Sequence, residues 1–221
     1  MQFTEADLFA VFEAWNNAAW PLQFIAYGLG LIAVGLLLRP SKRSTTTTLI
    51  ILAAMWLVNG IGFHWSYYTA VTPAAWVFGA AFVIEGLLLA ATPFVAPTFR
   101  IGPRKDAATL VALALILYAM VFYPLLGMLF GQSYPATPTF GLIPCPTTIF
   151  TLGLLLLGSW GMAKWLLIIP CLWGVVGGSA AILFGVPQDY GLILAMLLAV
   201  GSVIGHWFGL RLVRHEIQER A

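Results

Sequence analysis

The 221 residues are 61% hydrophobic and only 8% charged, with a mean hydropathy of +0.95. A soluble domain carries about 25% charged residues to cover its solvated surface, so this composition excludes an ordinary water-soluble globule. A formal charge of +2, with no basic patch interleaved with aromatics, excludes a nucleic-acid partner.

The chain opens with Glu5, Asp7 and Glu13 and no Lys or Arg before residue 20. That is the reverse of a positively charged leader, so no cleavable signal peptide is expected. Residues 4–20 read as an amphipathic helix on the outer membrane surface. Thr4 caps it with Asp7 reaching back, and Leu8, Phe9, Val11, Phe12 and Trp15 form the apolar face.

Seven apolar runs follow, at 21–38, 49–70, 74–96, 107–130, 146–160, 165–186 and 190–210. A membrane-crossing helix needs roughly 20 apolar residues, and long continuous runs exclude the alternating strands of a barrel. The chain is therefore predicted to be all-α, one membrane domain of seven transmembrane helices. The fifth run is short and proline-preceded, and a re-entrant half-helix competes with a full span there.

The cations decide between them. Arg39, Lys42, Arg43, Arg100, Arg104, Lys105, Lys164, Arg211, Arg214 and Arg220 all fall on one side if there are seven spans. A re-entrant fifth run would put Lys164 and the three C-terminal arginines on the other. The positive-inside rule then sets the N-terminus outside and the C-terminus in the cytoplasm. Glycines repeating at 201, 205 and 209, and at 174 and 178, predict close helix packing.

Ionisable residues within spans are costly and mark function. Glu85, His64 and His206 are the candidates, with Asn59 as an uncharged partner. The short 71–73 turn makes spans two and three antiparallel neighbours. Asn59 and Glu85 then lie at equal depth, roughly 20 Å from that turn at about 1.5 Å per residue. Either the two hydrogen-bond each other, tying the helices, or they form a proton- or cation-binding floor. His64 lies nearer the outer face, beside a gap at Gly60, with Tyr67 or Tyr68 in reach. His206 falls level with Cys171 near the inner face, too few ligands for a zinc site.

No cofactor is expected. The two histidines differ in depth, which disfavours haem, and no Lys lies within a predicted span to hold retinal. Cys145 and Cys171 lie toward opposite faces, so no disulfide is expected between them.

The outer loop 131–150 is long, uncharged and stiffened by Pro135, Pro138, Pro144 and Pro146. It is predicted to fold back over the bundle. Cys145 stands just ahead of the fifth helix, where a dipole favours a thiolate. With Glu85, Asn59, His64, Tyr68 and Tyr134, it completes the candidate ligand-binding set.

The run Tyr134-Pro135, Pro138-Thr139-Phe140-Gly141 and Pro144-Cys145-Pro146-Thr147-Thr148-Ile149-Phe150-Thr151-Leu152-Gly153 resembles the signature of a bacterial integral-membrane family of unknown function. His64-Trp65, Pro73-Ala74-Ala75-Trp76-Val77-Phe78-Gly79 and Gly185-Val186-Pro187-Gln188-Asp189 fit the same pattern. The resemblance implies a bacterial inner-membrane protein and supplies no activity. Binding or transport of a small solute or ion, in a pocket between spans two, three and five, is the leading expectation. A redox or metal-handling protein using Cys145 and His64 is one alternative. The other is a non-catalytic subunit or assembly factor, as a homo-oligomer or with a membrane partner.

Overall fold

A computed structural model describes residues 4–219, with side chains as far as Phe208. It is a helical bundle whose elements follow the predicted runs with shifted ends. Helix α1 (Glu5–Ala18) lies at 86° to α2 (Leu22–Leu36). Helix α3 (Lys42–Leu57) continues as a π-helix over Val58–Trp65, and α4 (Ala75–Val95) returns beside it. Helix α5 (Ala107–Leu117) passes through a π-turn at Tyr118–Phe122 into α6 (Tyr123–Leu129). Then come α7 (Pro144–Leu156), α8 (Trp160–Leu166), α9 (Ile168–Phe184) and α10 (Tyr190–Glu219).

Five of these helical segments are long and apolar enough to cross a membrane. Large apolar side chains such as Phe24, Leu31, Leu87, Leu110, Val175 and Leu194 point outward. An aqueous surface would not carry so continuous an apolar coat, whereas lipid tolerates it.

Caps set the helix starts. Thr4 and Asp7 form the predicted capping box, Ser41 and Ser44 form another on α3, and Asp106 accepts from the Thr109 N–H at 2.9 Å. The Asp106 carboxyl is held below the usual carboxylate range by bonds from Arg104 and Thr109. Its contribution to the cap is present above that range and fades as pH falls through the lowered value.

Helix α7 is the axis of the bundle. Every residue from Pro144 to Leu156 is buried except the half-buried Cys145. At about 1.5 Å per residue, its 13 residues span roughly 20 Å, short of the ~30 Å hydrocarbon core. It is short because both ends stop in folded protein. At its C-terminal end, Ile101 bridges Gly158, and the Arg104 guanidinium donates to the carbonyls of Leu157 at 3.0 Å and Leu156 at 2.9 Å. Thr45 accepts from Ile101 N–H at 3.1 Å, which brings the start of α3 to the same end. Arg104→Met, which keeps the aliphatic stem, is expected to cost about 3 kcal/mol by freeing those carbonyls. A thermal melt of the purified protein measures it.

This end carries Arg39, Lys42, Arg43, Arg100, Arg104, Lys105 and Lys164, on the connections and helix ends that meet there. Trp160 stacks on His206 at 5.0 Å, so the later turns of α10 reach it too. Lys42, Arg43 and Lys164 lie inside helices, not between them as the runs implied, but all three are exposed at this end.

The opposite end is roofed by α1 and the proline-rich loop. The apolar face of α1 does not lie on lipid alone: Leu8, Val11, Phe12 and Trp15 are buried against protein. Trp15 Nε1 donates to the Leu142 carbonyl at 2.8 Å, and its ring sits over Gly62. Asn16 pins the loop. Its Nδ2 donates to the carbonyls of Pro135 at 2.7 Å and Thr137 at 2.8 Å, and its Oδ1 accepts from the Thr139 hydroxyl at 2.6 Å. Phe140 plugs the bundle between Tyr27 and Phe150. Gly141 is needed next, because its φ is +77° and a Cβ there would meet Ala26 at 2.7 Å.

Among the glycine repeats, Gly174, Gly177 and Gly178 pack against Met196, Leu192 and Ile193 of α10 as expected. Gly201 and Gly205 do not pack, since a Cβ at either would meet nothing within 4 Å. Periodicity shows a smooth face but not whether a neighbour covers it. Gly209 lies beyond the described side chains.

Candidate functional site

Beneath α1, at the end opposite the clustered cations, lies a cleft of about 420 Å³. The π-helix and following turn supply Phe63 and Tyr68, α4 supplies Phe78, and α9 supplies Trp173 and Phe184. The rings hold one another in place: Phe63 stacks on Tyr68 at 5.5 Å, and Phe78 meets Trp173 edge-on at 5.4 Å. Of the lining residues, Asp189 alone is charged.

Asp189 closes the Pro187–Asp189 turn that leads into α10, and it is 5% exposed. The Tyr123 hydroxyl donates to its Oδ1, and the Cys145 thiol lies beside it in the cleft lining. Tyr118 holds the turn from outside by donating to the Gln188 carbonyl at 2.7 Å. Gln188 Nε2 also donates to Gln132 Oε1, fastening the turn to the outer loop. Both cysteines are free.

The structure brings two of the predicted site residues to this cleft, Cys145 and Tyr68. Tyr134 instead stacks on Trp20 at the surface, 6.5 Å between centroids. His64 lies behind the cleft wall, and Asn59 and Glu85 do not line the cleft. His64 is enclosed by Phe63, Tyr68, Phe78, Phe82 and Trp173, with centroid distances of 4.8 Å to Phe82 and 5.1 Å to Trp173. Neither of its nitrogens has a hydrogen-bond partner among the described residues.

Of the two readings of Asn59 and Glu85, the hydrogen bond tying the helices is not present among the described residues. Asn59 Nδ2 donates to the carbonyls of Met55 at 2.8 Å and Gly141 at 3.0 Å. Glu85 is fully buried, and neither of its oxygens has a partner among the described residues. The π-helix is the reason. Counting back from the 71–73 turn runs through this π-helix, whose wider turn departs from the regular α-helical spacing that paired the two residues. Gly60 likewise leaves no gap beside His64: it receives the Gly79 carbonyl and Val83 of α4.

The redox and metal alternative finds no cluster either. Among the described residues, no three His, Cys, Asp or Glu side chains gather to hold an ion. The Cys145 thiol faces a carboxyl group and His64 an aromatic box. His206 lies exposed against Trp160, and Cys171 is half-buried in α9.

Sequence reasoning missed Asp189, which reads as a loop acid between two spans. The signal was present in the Pro-Gln-Asp turn, where a proline and an acid open a helix. Residues 5–214 match a family of unknown function, DUF6064, and the chain belongs to it. No curated protein and no solved structure matches the chain.

Proposed function

We propose that this chain is a bacterial inner-membrane protein that crosses the bilayer seven times, N-terminus outside and C-terminus in the cytoplasm. Its activity is to bind a small solute from the outer side, in the cleft beneath α1. The observation that carries this reading is the cleft itself: about 420 Å³, aromatic-walled, with a buried acid at its edge. Ligand sites have this form, mostly apolar with a few placed polar groups, at about 300–1,000 Å³. The gathering of cations at the far end supports the orientation. So does α7, whose two ends meet the roof loop and the 100–104 connection.

His64 and Glu85 lie inward of the cleft and are the candidates for coupling binding to proton movement. Phe78 and Trp173, which line the cleft, also pack on His64 at 5.9 Å and 5.1 Å. Glu85 follows Phe82 by one turn of α4. A buried carboxyl without partners costs stability and is retained for function. Glu85→Leu is therefore expected to hold or raise the thermal midpoint while abolishing pH-dependent binding or transport. A clear loss of stability would assign Glu85 a structural role instead.

A direct test uses three probes of matched size on the detergent-solubilised full chain: benzyltrimethylammonium, N-benzylacetamide and 3-phenylpropionate. Calorimetry is expected to show that at least one binds the wild type. That binding is lost in Ala180→Phe, which fills the cleft. If no probe distinguishes the two proteins, the cleft is not a solute site. The exposed, unpacked Gly201 and Gly205 on α10 favour a second reading, a subunit that offers this face to a partner helix. Copurification of a stoichiometric membrane partner tests it.

A further inference from the structure

Among the described residues, Asp189 has no counter-ion. Its carboxyl group receives the Tyr123 hydroxyl, an uncharged donor, and has the equally uncharged Cys145 thiol as a neighbour in the cleft lining. Among the described residues the ion pair found joins Arg104 to Asp106, at the other end of the bundle. Buried acids in proteins are paired with a cation or held neutral at a cost in function or stability. The missing positive charge has a place to sit, because Asp189 lines the cleft.

The rest of the lining matches a cation. Six aromatic side chains border the cleft: Phe12, Phe63, Tyr68, Phe78, Trp173 and Phe184. The face of an aromatic ring carries negative electrostatic potential, and desolvated rings attract ammonium groups. Among the described residues no Lys, Arg or His lines the cleft, so an anion would meet one acid, six rings and no donor of positive charge. A bare metal ion fits no better, since hard cations take about six or more oxygen ligands and the lining offers one carboxylate. What fits is a positive charge surrounded by carbon.

We propose that the cleft binds a small organic cation, an amine or quaternary ammonium, with its charged nitrogen against Asp189 and its alkyl or aryl groups on the ring walls. This deepens, and rests on, the reading of the cleft as the solute site. Tyr123 then acts as a positioning residue that fixes the carboxylate while leaving it facing the cleft.

The same three probes decide it. Benzyltrimethylammonium is expected to bind the wild type at least about tenfold tighter than N-benzylacetamide or 3-phenylpropionate, as a desolvated cation–π and carboxylate contact requires. Asp189→Asn is expected to weaken the cation about tenfold or more and leave the amide unchanged. Asp189 also helps to hold the turn, so Phe78→Leu provides a second variant that leaves the acid in place. It is expected to weaken the cation and not the amide. Amide or carboxylate binding as tight as the cation's, or cation binding indifferent to both substitutions, overturns the proposal. If a neutral or anionic probe binds the wild type and is lost in Ala180→Phe, the cleft remains a solute site and the cation assignment falls. If no probe binds, both fall.

Discussion

Gly60→Val is expected to leave little folded protein in the membrane. A Cβ at Gly60 would stand 2.9 Å from the Gly79 carbonyl oxygen and 3.1 Å from the Val83 nitrogen, and both are backbone atoms of α4. A flexible side chain can move aside, but a helix backbone moves only as a whole. The reverse contact is equally close, since a Cβ at Gly79 would reach the Trp65 ring at 2.3 Å and the Gly60 carbonyl at 3.0 Å. Overpacking of this kind costs about 3 kcal/mol or more where the neighbour cannot relax. The same seam carries His64, which packs on Phe78 and Phe82 of α4, so spreading it also opens the inner wall of the cleft. Gly35→Val is the control, because a Cβ there meets nothing within 4 Å. Size-exclusion of detergent extracts should show a normal peak for Gly35→Val and an aggregated or absent one for Gly60→Val. Equal behaviour of the two would refute the tight α3–α4 seam.

Asn16→Ala is expected to be nearly as severe and to act by a different route. It removes two donated bonds to the Pro135 and Thr137 carbonyls and one accepted from Thr139. At about 1 kcal/mol each, with a further penalty for buried partners left unsatisfied, the loss is about 3 kcal/mol or more. Because these bonds tether the roof loop to α1, its release should precede global unfolding. Limited proteolysis between 131 and 143 is expected to accelerate well before the bundle melts. Protease resistance equal to the wild type would mean that Phe140, with Trp15, Asn59 and Gln188, holds the loop without Asn16.

The architecture was largely legible because lipid imposes strong rules. The apolar runs located the helices, most of their ends to within a few residues. The Thr4–Asp7 box marked the first helix start, and the short 71–73 turn identified α3 and α4 as neighbours. The ends were less legible. Helix α3 begins at Lys42, well before its apolar run, because Ser41 and Ser44 cap a polar first turn. Helix α7 stops short because protein, not lipid, surrounds it, which hydropathy cannot report.

The site was harder to read, for reasons of geometry. Counting residues from a turn gives equal depths only for regular helices, and the π-helix at Val58–Trp65 breaks that assumption for Asn59 and His64. Asp189 looked solvated because its turn is short, but α6 and α7 close over it with Tyr123 and Cys145. Asn16 sits on a helix whose apolar stripe attracted the attention, and its partners lie 119 and 121 residues away along the chain. Tertiary contacts over such distances leave no local signature.

The most direct test of the account is which end of the bundle faces outward. Thr72→Cys places a thiol at the cleft, and Ser159→Cys places one at the cationic end beside Arg100. Each is made in a chain whose native cysteines are replaced by serine, and intact cells are treated with a membrane-impermeant maleimide. Labelling of Thr72→Cys in intact cells, and of Ser159→Cys only after permeabilisation, is the expected result. The opposite pattern would put the cleft in the cytoplasm and contradict an outward-facing solute site.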